Sequence, residues 1–104
     1  MHVTIRRYDA IDRTRISELV EETEVCLIPR MSKLPGFIGY YLIEAGNGVV
    51  ASINFFDTAA HAEESSRVVC DWLREKRLKT ALPNPAHVTF GEVVARETRT
   101  LVEV

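Results

Sequence analysis

Arg7, His61 and Trp72 are the side chains of this chain whose types and spacing could do chemistry. A guanidinium holds a phenolate or another anion through charge-assisted hydrogen bonds. Arg7 continues the register of Val3 and Ile5 in the run HVTIRRY, so it shares their face. His61 falls in the first turn after Asp57-Thr58, where a helix N-terminus favours the neutral, proton-accepting imidazole. Trp72, the only tryptophan, offers a flat wall on which an aromatic ligand stacks. Phe55 and Tyr41 are the further aromatic candidates, although Tyr41 and Tyr40 can be told apart only by the strand register. Each residue also has a plainer reading. Arg7 would drape its methylenes over a helix end, His61 would face solvent, and Trp72 would belong to the core.

These side chains must be held by elements that the spacing of apolar residues defines. Residues 2–8 alternate with period two and predict a strand, followed by Asp12 as a helix N-cap. From Arg13 to about Lys33, Ile16, Leu19, Val20, Leu27, Met31 and Leu34 recur at helical steps, with Thr23 among them. Pro29 should kink or end that helix. The stretch FIGYYLIEAGNGVVASINFFD predicts a hairpin, because Asn47-Gly48 tolerates the positive φ angles of a type I′ turn. Asp57 or Thr58 then caps a second helix, whose inward stripe is Ala59, Ala62, Ser66, Val69 and Leu73, widened by Trp72. A fourth strand follows over VTFGEVVAR, and the tail 97–104 has the β propensity for a fifth.

The order β-α-β-β-α-β, with two right-handed crossovers around a hairpin, gives a ferredoxin-like α+β fold over residues 1–104 as one domain. Strands one and three are central, and both helices lie on one face of the antiparallel sheet. The other face is left bare, which implies self-association.

Composition narrows the function. A formal net charge of −2 with scattered basic residues gives no general attraction to nucleic acid. No apolar run reaches the ~18 residues of a membrane span. Cys26 and Cys70 read as free thiols of a cytoplasmic protein, with no CxxC and no His/Cys cluster for a metal.

LPGFIGYYLIEAGNGVVASINFFDTAAHAEES, with Pro-Gly-Phe opening strand two and an Ala-His step in the second helix, resembles the dimeric α+β barrel superfamily. The resemblance is to its small antibiotic-biosynthesis-monooxygenase-like proteins. It implies a homodimer whose two sheets pack face to face as a barrel, and a cleft between each sheet and its own helices. It also implies a cofactor-independent monooxygenase-like activity on a small aromatic or polyketide-like compound, or else a non-catalytic ligand-binding or interaction module. No haem is expected, because the first strand reads TIRRY and the second helix has no His after His61. On this basis Arg7, Tyr41, Phe55, His61 and Trp72 are the expected ligand-binding residues. Thr4, Arg6, Ser52, Asn54 and Phe56 form the expected dimer contact. No residue is assigned a catalytic role.

Overall fold

The period-two segments pair into one antiparallel sheet. Strand β1 (His2–Tyr8) lies between β3 (Val49–Phe56) and β4 (His87–Glu92), and β2 (Phe37–Gly46) borders β3, giving the order β2-β3-β1-β4. The computed structural model describes residues 1–82 and 84–99, with Lys79 by its backbone alone. The β2–β3 turn has φ of 53° at Asn47 and 74° at Gly48, as a type I′ turn requires. The Gly48 carbonyl accepts from the Ile11 amide at 3.1 Å.

Asp12 caps a short 3₁₀ turn, Arg13–Arg15, by accepting from the Thr14 amide. The helix that follows is less regular than its sequence period suggests. It runs as α1 (Ile16–Glu22), a π-turn (Thr23–Leu27) in which the Ile28 amide reaches back to the Thr23 carbonyl, and α2 (Ile28–Ser32). Pro29 has no N–H, and its ring would clash with the carbonyl four residues back, that of Val25. Widening the turn just before it absorbs the misfit. The break expected at Pro29 therefore comes ahead of it, and the helix resumes. Leu19, Thr23, Leu27 and Met31 are its buried stripe, and the Thr23 hydroxyl is paired with the Leu19 carbonyl at 2.7 Å. In α3 (Ala59–Glu75), capped by Thr58, the buried stripe is Ala62, Ser65, Val69 and Trp72.

Both helical layers cover the same sheet face, but not the expected one. His2, Thr4 and Arg6 on β1, with Val50, Ser52, Asn54 and Phe56 on β3, are buried beneath the helices. Arg7, Tyr41 and Phe55 therefore lie on the uncovered face. Thr4, Arg6, Ser52, Asn54 and Phe56, expected at a sheet-to-sheet contact, face the helices instead. Period two shows that side chains alternate but not which set is covered, and a shift of one exchanges the faces. The apolar pair Val3 and Ile5 pointed to the wrong side because the uncovered face is itself apolar. β4 ends at Glu92, short of the expected strand, and residues 93–99 form no fifth strand. Residues 100–104 of the expected tail strand lie outside the described residues.

Candidate functional site

Helix α3 packs on β3 and β1 and stops short of the outer strand. A cleft of about 500 Å³ remains there, within the usual range for small-ligand sites. Thr4 and Arg6 line it from β1, with His2 toward the strand's start. Ala59, Ala62, Glu63 and Ser66 form the helix wall, and Val88 and Phe90 form the strand wall. Phe90 is left 70% exposed because no helix lies over β4.

Arg6 is the buried charged group of this cleft, only 8% exposed, whereas Glu63 is open to solvent. Its Nη2 donates to the Ser66 hydroxyl at 2.6 Å, while its Nη1 is buried and unpaired. Among the described residues it forms no ion pair. Behind it, Asn54 is 1% exposed, and neither end of its amide has a partner. The Nε1 of Trp72, on α3, is also buried and unpaired.

Tyr8 and Tyr40 line a separate, smaller space in the core, together with Trp72. Burial pushes Tyr40 up to about 12, with the Ser52 hydroxyl and Arg6 only partly opposing it. Burial likewise raises Tyr8 above its ordinary value. Both phenols are therefore neutral near pH 7, and neither is a counter-ion for Arg6. Between Tyr8, Tyr40, Ser52, Val69, Trp72 and Leu73 the remaining space is only about 20 Å³.

Of the expected ligand residues, Trp72 alone faces this interior, as a core residue 3% exposed. Arg7 is paired with Asp9 at 3.2 Å on the uncovered face. Tyr41 and Phe55 form an edge-on aromatic pair there, with ring centroids 6.3 Å apart. His61 holds Asp57 through Nδ1 at 2.6 Å and does not line the cleft. Its bond keeps the Asp57 carboxyl below the usual carboxylate range. Arg6 and Asn54, expected at a dimer contact, join Trp72 on the covered face. Ser66, His2 and Phe90 were not singled out for a site. The available signal was the alternation of Thr4 with Arg6 and of Ser52 with Asn54, a polar set on two central strands that fits a covered site as well as it fits a dimer contact.

No protein-family model matches the chain, and no curated protein matches its sequence. Solved structures do match its fold. The monooxygenase from the gene ActVA-Orf6 of Streptomyces coelicolor, in complex with nanaomycin D, is 15% identical with a TM-score of 0.74; the match covers 95% of this chain and 92% of that one. A dimeric ferredoxin-like protein from an uncultured marine organism is 14% identical, with a TM-score of 0.73 and coverage of 95% and 92%. An antibiotic biosynthesis monooxygenase is 14% identical, with a TM-score of 0.68 and coverage of 91% and 100%. Several other matches, such as a protein from Nitrosomonas europaea, are of unknown function. The chain thus has a ferredoxin-like fold, which it shares with these structures.

Proposed function

We propose that the protein is a cofactor-independent, monooxygenase-like enzyme that acts on a small aromatic or polyketide-like compound between the sheet and its helices. One observation carries this reading. Arg6 Nη1 is a buried donor without a partner, on a side chain that lines the cleft. An unpaired buried polar group costs about 1–3 kcal/mol. An anionic aromatic ligand in the cleft would supply the acceptor that this guanidinium lacks.

The chemistry that suits such a donor is oxidation of an activated methylene. The substrate loses a proton, a donor fixed in place stabilises the resulting anion, and the anion transfers electrons to dioxygen. One oxygen atom becomes the new carbonyl and the other leaves as water with the two displaced hydrogens, so no external reductant is required. The fold shared with the Streptomyces coelicolor monooxygenase supports this reading.

Oxygen uptake with anthrone as substrate tests it. The wild-type protein should consume one dioxygen per anthrone oxidised, and Arg6→Met should slow the reaction ~100-fold, as loss of one preorganised donor does elsewhere. A rate equal to that of buffer alone would refute the enzymatic reading. The small space beside Trp72, already filled by Val69 and Leu73, favours a second reading, a non-catalytic ligand-binding module of the same fold. In that case aromatic ligands would stabilise the protein without oxygen uptake.

The uncovered sheet face supports a homodimer. Val3, Ile5, Tyr41, Ile43, Ile53 and Phe55 form an apolar surface that a second copy would bury, and a ferredoxin-like protein of similar fold is dimeric. The free cysteines suit the reducing cytoplasm, and among the described residues no helix is long and apolar enough to cross a membrane.

A further inference from the structure

We propose that the cleft's ligand carries a permanent carboxylate, seated on Arg6, in addition to any group that reacts; this rests on the reading of the cleft as the aromatic-ligand site. The argument begins from charge. Arg6 is nine-tenths buried and has no ion pair among the described residues. A charge taken out of water without a partner costs several kcal/mol. The groups near it do not neutralise it. The Ser66 hydroxyl is neutral, Tyr8 and Tyr40 are held protonated, and Glu63 lines the cleft without forming an ion pair to it. The compensating anion must come with the ligand.

The kind of anion follows from the guanidinium that lines the cleft. A guanidinium is a permanent cation. A full, permanent charge is matched by a group that is ionised before, during and after reaction. A carboxylate meets that condition, whereas a phenol that must be deprotonated does not.

The walls fix the shape of the rest. Ala59 and Ala62 present short side chains opposite Val88 and Phe90, leaving a slot for a planar ring. The imidazole of His2, with its centroid 6.2 Å from that of Phe90, bounds the slot at the start of β1. It lies four residues from Arg6, roughly 13 Å along the strand. Ser66 is a positioning residue here: by holding Nη2 it fixes the guanidinium plane and leaves Nη1 for the ligand.

Calorimetric titration with naphthoate, its neutral isostere naphthamide, and the enolate of a hydroxynaphthoquinone tests the inference. Naphthoate should bind roughly tenfold or more tightly than naphthamide, a typical gain for a desolvated charge-assisted pair. Arg6→Met should abolish that preference without lowering the melting temperature of the unliganded protein, since it removes a buried unpaired charge. Ser66→Ala should weaken naphthoate and leave naphthamide unchanged, an effect that a merely structural role would not produce. Equal binding of naphthoate and naphthamide would overturn the inference alone. An enolate that binds as tightly as naphthoate would overturn the choice of carboxylate. Absence of binding by all three would overturn the inference together with the aromatic-cleft reading, while oxygen uptake on anthrone would still stand or fall by its own assay.

Discussion

The two phenols beside Arg6 give the protein a pH signature that is independent of any ligand. In the unfolded chain a tyrosine ionises near 10, whereas Tyr40 in the folded protein resists to about 12. Above pH 10 the unfolded state therefore binds fewer protons, and stability falls between about 10 and about 12, by on the order of 2 kcal/mol from Tyr40. Denaturant unfolding from about pH 9 to about pH 11.5 should show this loss, and Tyr40→Phe should flatten it. An equal slope in the variant would assign the alkaline loss to other groups. Of the side chains singled out in the sequence for chemistry, Trp72 lies under the helices, whereas Arg7 and His61 do not line the cleft. Which of the two adjacent arginines faces the helices was not legible. Arg6 and Arg7 are adjacent, so they point to opposite faces, and only the three-dimensional cover decides between them.

At the scale of elements, the legible features were those set by local chemistry. The Asn47-Gly48 turn and the caps at Asp12 and Thr58 depend on their own backbone, and they stand where the residues indicate. The π-turn was hidden, because apolar steps of three and four barely change when one turn widens. Gly36, in the Pro-Gly-Phe that opens strand two, also makes a joint between β2 and α3. It has φ of 77° and accepts from the Asp57 amide at 2.9 Å, and any side chain on it would fall on the Asp57 carboxylate and crowd His61. Gly36→Ala should cost roughly 2 kcal/mol through strained backbone and a displaced Asp57–His61 pair. The same variant should lose part of the stability that wild-type protein gives up on acidification. Asp57 titrates below its unfolded value of 3.8, so its contribution is present above that pH and disappears as pH falls through the folded value. Unchanged melting and acid profiles would mean that the joint yields without strain.

For the molecule as a whole, strand order, helix placement on one side and a bare second side were legible from topology. The identity of the bare side was not, because both faces of β3 are rich in apolar residues. If the uncovered face joins two copies, Ile53→Glu should give a folded monomer by sedimentation, since a charge opposite its symmetry mate is costly to bury. A dimer of wild-type affinity would move the contact elsewhere. The end of the sheet away from Gly36 has a consequence of another kind. Residues Ile11 and Asp12 tie the hairpin tip to the segment after α3 through the Gly48 and Ala81 carbonyls, at 3.1 and 3.0 Å. An Asn-Gly pair ages chemically when the glycine nitrogen swings onto the asparagine side chain and expels ammonia. The pinned turn denies Asn47-Gly48 that swing, so deamidation in the folded protein should wait for this end to open. Asn47 then acts as a slow clock, and the accumulated aspartate in an aged sample records how often the three loops have come apart.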